Sequence, residues 1–107
     1  MISFPEAFLT DSSQQSCMEY IPTWELKQMQ DGTSSLFRSL KFDQFEDCIR
    51  FMTLLIEDVN KLDHHPNWAN NHDRLDIELT TWDKGKTVGI KDYKLAFVID
   101  YHFNKFY

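Results

Sequence analysis

Three of the four histidines, His64, His65 and His72, fall within nine positions, and Asp63 stands directly before the adjacent pair. Imidazole has a reference pKa of ~6.5, so such a cluster can give or take a proton near neutral pH, with Asp63 to orient a ring or stabilise its charged form. As a metal site the cluster is poor. Adjacent histidines seldom aim both rings at one ion, and no HxH, HExxH or CxxC pattern accompanies them. A plain structural reading is also available, in which His64 and His65 end a helix at its negative pole just before Pro66. Trp68 and Trp82 could stack on a flat heteroaromatic ligand or serve as ordinary packing.

The elements that must position these residues follow from periodicity. A first helix is expected from a Thr10 cap, through Asp11, Ser12 and Ser13, to a stop before Pro22. Thr23 to Gln30 reads as extended, and Asp31-Gly32 turns the chain into a strand from Ser34 to Phe42, with Leu36, Leu40 and Phe42 on one face. The strongest helical period starts at Asp43, with Glu46 as its capping-box partner, and runs through Phe45, Cys48, Ile49, Met52, Ile56 and Val59, a stripe expected to pack on a sheet. After Pro66 the chain is extended again. Asn70-Asn71-His72-Asp73 is a turn into a strand from Arg74 to Trp82, where Leu75, Ile77, Leu79 and Thr81 alternate with Arg74, Asp76, Glu78, Thr80 and Trp82. A last helix spans Ile90 to Phe106, with Asp92 in its first turn.

The order α-β-β-α-β-β-α predicts an α+β domain of two layers, a four-stranded antiparallel sheet with helices on one face, in a single domain over residues 1–107. The other sheet face is polar and open to a second copy, so a homodimer or homotetramer is expected.

Composition narrows the function. The 107 residues carry 11 Lys+Arg against 17 Asp+Glu, a formal net charge of −6. With no basic stripe, direct nucleic-acid binding is not expected. The longest nearly apolar run, Phe51 to Ile56, is far short of the ~20 residues that cross a bilayer, so no membrane span is expected. Met1-Ile2-Ser3-Phe4-Pro5-Glu6 has no positive or apolar leader region, which predicts a cytoplasmic protein. Cys17 and Cys48 then read as free thiols.

Lys61-Leu62-Asp63-His64-His65-Pro66-Asn67-Trp68, followed by Leu79-Thr80-Thr81-Trp82-Asp83 and by Asp92-Tyr93-Lys94-Leu95-Ala96, resembles the pterin-4a-carbinolamine dehydratase family, over roughly residues 20 to 100. The resemblance implies a hydro-lyase that dehydrates 4a-hydroxytetrahydrobiopterin to quinonoid dihydropterin in tetrahydrobiopterin recycling, with no metal and no cofactor. It implies that His64 and His65 are catalytic. It also implies that Asp63, Trp68, Thr80, Thr81, Trp82 and Asp92 support or bind the pterin substrate. Trp82 stands where the family usually has a third histidine, Asn60 where an acidic residue is frequent, and one extra residue separates Trp82 from Asp92. His72, where the family often has an aromatic residue, is a candidate replacement for the missing histidine. Because some members of this family act as dimerisation partners of transcription factors, the rival reading is a non-enzymatic assembly partner of coactivator type.

Overall fold

The computed structural model describes residues 2–9 and 14–106. A 3-10 turn at Glu6–Phe8 precedes α1 (Gln14–Met18), β1 (Glu25–Gln28), β2 (Ser34–Lys41), α2 (Phe45–Leu62), β3 (Asn67–Asn71), β4 (Arg74–Leu79), a second 3-10 turn (Trp82–Lys84) and α3 (Ile90–Phe106). The sheet order is β1-β2-β4-β3, with every neighbouring pair antiparallel. This is the expected two-layer α+β domain.

Register follows from burial. Leu36 pairs with Leu79, Arg38 with Ile77 and Leu40 with Leu75, so one face of the central strands carries the apolar side chains. Cys48, Phe51, Leu55 and Val59 of α2 are buried with them, as are Leu95, Ala96, Val98 and Ile99 of α3. α2 and α3 run antiparallel. Moving back along α2 from His64 through Asp58 to Phe51, the partners on α3 advance from Asp92 through His102 to Phe103 and Phe106. At that far end Phe51 and Phe42 meet Phe103 and Phe106 edge-on, with centroids 5.4–5.9 Å apart, an arrangement that aromatic quadrupoles favour.

Three local expectations are corrected. The first helix is seen over Gln14–Met18 and ends before Pro22 as expected, and the predicted cap at Thr10, with Asp11, Ser12 and Ser13, lies outside the described residues. α2 starts at Phe45 with Gln44 at its N-cap and no side-chain cap bond, so Asp43 is not the cap residue. The core stripe of α2 is rotated from the predicted one: Phe45, Ile49 and Ile56 are exposed, while Phe51 and Leu55 face inward. β4 stops at Leu79, and beyond it the predicted alternation reverses, because the Thr80 hydroxyl turns inward and donates to the Ser34 carbonyl at 2.7 Å. Thr80 is therefore buried and Thr81 half-buried.

Candidate active site

The C-terminus of α2 delivers the histidine pair. Asp63 takes a left-handed conformation (φ 51°, ψ 48°), its N–H donates to the Asn60 carbonyl, and the His64 N–H donates to the Val59 carbonyl. These are the two bonds of a Schellman closure, in which Asp stands where Gly is usual because its short polar side chain tolerates φ > 0. The reversal turns His64 back towards α3.

There His64 meets Asp92. The ring Nε2–H donates to Asp92 Oδ1 at 2.5 Å, and the other carboxylate oxygen accepts from Thr81 Oγ1 at 2.7 Å and from the Gly89 N–H at 2.8 Å. Asp92 is 0% exposed and the His64 side chain 11%. A fully buried carboxylate costs several kcal/mol unless its oxygens are filled, and here three donors fill them. The Gly89 contact is half of a capping box, the third residue of a helix reaching back to the N–H of its N-cap. With Nε2–H committed to Asp92, the neutral ring keeps Nδ1 as its acceptor.

The loop between Leu79 and α3 closes over this pair. Thr81 and Thr87 form a two-bond bridge (2.9 and 3.3 Å), and Gly85, at φ 77°, ends the 3-10 turn between them. The result is a cavity of about 500 Å³ lined by Asp63, His64, His65, Thr80, Thr81, Trp82, Asp83, Lys84, Gly89, Ile90 and Lys91. Such a volume lies within the ~300–1,000 Å³ usual for small-molecule sites. His65 and Asp63 are exposed, and Trp82 is 67% exposed with the Lys86 ammonium 5.1 Å from its ring centre.

A family model described as pterin 4 alpha carbinolamine dehydratase matches residues 7–102. The chain belongs to that family. It is 38% identical over 77 residues to a protein of Rhizorhabdus wittichii named "Putative pterin-4-alpha-carbinolamine dehydratase", covering 72% of this chain and 76% of that one. A Burkholderia multivorans protein of the same name is 32% identical over 92 residues, 86% of each chain. Among solved structures, a Brucella melitensis protein described as a transcriptional coactivator/pterin dehydratase superposes with a TM-score of 0.72 at 30% identity, covering 86% of this chain and 94% of that one.

Of the eight predicted site residues, the fold brings Asp63, His64, His65, Thr80, Thr81 and Trp82 to one cavity wall. Asp92 stands behind that wall, reaching it through His64 and Thr81. Trp68 does not line the cavity: on β3 it pairs with Ile77 of β4 and packs against the core. His72 does not replace the missing histidine, because it sits at φ 58° in the β3–β4 turn, exposed and beside Phe45. Gly89, Lys84 and Lys91 were not singled out by sequence. For Gly89 a signal existed, the three-residue spacing to Asp92 at a helix start. Among the described residues no group of three His, Cys, Asp or Glu side chains is arranged to hold a metal ion, and no helix is long and apolar enough to cross a membrane.

Proposed function

We propose that this chain dehydrates a 4a-hydroxytetrahydropterin, with tetrahydrobiopterin as the parent side chain, to the quinonoid dihydropterin and water. The observation that carries the reading is the His64–Asp92 pair on one wall of a cavity that also exposes His65. In the reaction a base accepts the N5 proton, an N5=C4a bond forms, and the C4a–O bond breaks as an acid delivers a proton to the departing hydroxyl. One proton is taken and one returned, so two imidazoles in opposite protonation states suffice. Asp92 holds the His64 ring by its Nε2 contact and so fixes the direction in which Nδ1 points. Thr80, Thr81 and Trp82 bound the space for the bicyclic ring, with Trp82 available to stack on it.

The test is the decay of freshly generated 4a-hydroxytetrahydropterin followed by ultraviolet absorbance. Wild type accelerates decay above the spontaneous rate, and His64→Ala and His65→Ala each lose ~10²-fold or more of that acceleration. Folded wild type that leaves the spontaneous rate unchanged overturns the proposal.

A homo-oligomer is part of the same reading. The outward sheet face, expected to meet a second copy, is polar and internally bonded, with Ser39 donating to Asp76 at 2.6 Å and Ser35 to Glu78 at 3.1 Å. The exposed apolar side chains Phe45, Ile49 and Ile56 share one flank of α2 instead, which favours that helix as the contact. The same surface would serve the rival assembly role. Sedimentation of wild type against Ile49→Glu/Ile56→Glu decides it. The two buried free cysteines fit the cytoplasm as its compartment.

A further inference from the structure

We infer that the cavity takes pterins whose side chain carries an anionic group, a phosphate ester or a carboxylate; this rests on the pterin reading above. Two ammonium groups, Lys84 and Lys91, line the cavity wall beside the catalytic pair. The carboxylates Asp63 and Asp83 line it too. Neither lysine forms an ion pair with them or with any other described acidic residue, and the one bond found is a long one from Lys91 Nζ to the Asp63 carbonyl at 3.4 Å. Lys84 lies across the loop, its Nζ 4.0 Å from the place a Cβ would take on Gly89. Both ammonium groups thus keep free donors at the rim.

The whole chain is at −6, and two of its 11 Lys+Arg, Lys84 and Lys91, line this cavity with Asp63 and Asp83, while Lys86 lies over Trp82 and Lys94 over Phe4. The recognition of an anion therefore rests on the direct reach of the two unpaired ammonium groups and not on a net positive field. The ring occupies the part of the cavity bounded by His64, Thr80 and Thr81, and a substituent leaving it towards Lys84 and Lys91 meets two unpaired donors.

Equilibrium binding by titration calorimetry tests this with neopterin, neopterin monophosphate, and pteroyl conjugates of one and of three glutamates. At low salt the phosphate ester or the triglutamate binds ~10-fold more tightly than its less charged counterpart, the advantage shrinks as salt rises, and the ratio collapses towards one in Lys84→Met/Lys91→Met. An advantage confined to the phosphate ester assigns a phosphate, and one that grows with glutamate number assigns a carboxylate. Equal affinities, or an advantage that survives the double substitution, overturn the inference and leave the pterin reading standing. Failure of neopterin itself to bind overturns both.

Discussion

Asp92→Asn separates orientation from packing at the proposed site. The amide is nearly isosteric, so its oxygen can still accept from Thr81 Oγ1 and the Gly89 N–H, now at 2.7 and 2.8 Å. What changes is the contact to His64 at 2.5 Å. The amide NH₂ must face Nε2, which can then only accept, so the ring proton moves to Nδ1 and the ring loses its carboxylate counter-charge. A hydrogen bond to a charged group contributes ~1.5–3 kcal/mol, which corresponds to ~10- to 10²-fold in rate. The assay is the dehydration rate over background, with urea unfolding alongside to show that the fold is retained. Because Asp92 acts through His64, the double variant His64→Ala/Asp92→Asn loses no more than His64→Ala alone. A folded Asp92→Asn enzyme at the wild-type rate, or full additivity in the double variant, refutes the assignment.

Gly89→Ala places a Cβ 3.3 Å from Thr81 Oγ1, which forces Thr81 to shift and slackens its bond to Asp92; the dehydration rate falls several-fold while the urea midpoint moves little, and an unchanged rate contradicts this. The Tyr93 hydroxyl is buried with no hydrogen-bond partner among the described residues, and burial, reinforced by Cys17 and Asp92, pushes its pKa up to about 12. Since the unfolded value is ~10, this group's contribution to stability is complete below pH ~10 and is lost by ~2–3 kcal/mol as pH rises to ~12. Tyr93→Phe abolishes that loss and raises stability by ~1 kcal/mol at neutral pH, as urea midpoints on either side of pH ~10 will show. Trp82 cannot exchange a proton at neutral pH, so Trp82→His adds a donor at the cavity mouth. Rates for the two C4a stereoisomers then become more equal, and wild type that already turns both over equally removes the premise.

The sheet and both long helices were legible because each rests on a period that burial enforces, as in Leu75, Ile77 and Leu79 against Arg74, Asp76 and Glu78. The inward line of α2 was harder to read. Its apolar arc is wide enough to hold two stripes, one through Cys48, Phe51, Leu55 and Val59 and one through Phe45, Ile49, Met52 and Ile56. Packing against both the sheet side and α3 decides which one turns inward, as Cys48 meets Asn70 and Phe51 meets Phe42, Phe103 and Phe106. β4 ends earlier than its alternation predicts for a similar reason, since the Thr80 bond to Ser34 and the Thr81–Thr87 bridge are made across the fold. In the site, the histidine pair stood out by type and spacing. The partner of His64 did not, because His64 and Asp92 lie 28 residues apart and meet only where two antiparallel helices bring their ends together.

That meeting point divides the site into parts of different rigidity. The proton-handling pair sits on helix ends fixed from a distance, by the Phe42–Phe51–Phe103–Phe106 cluster and by the His102–Asp58 contact at 2.8 Å one helical segment away. Trp82, Lys84 and Lys91, which bear on what enters, are carried by the loop from Thr80 to Gly89 and by the first exposed turn of α3. Groups that must hold a proton within hydrogen-bond range gain from rigid elements, whereas those that recognise a side chain can change with the loop. Substitutions at the rim should therefore alter which pterin binds more than how fast a bound one reacts, and substitutions at Asp92 or Gly89 should do the reverse.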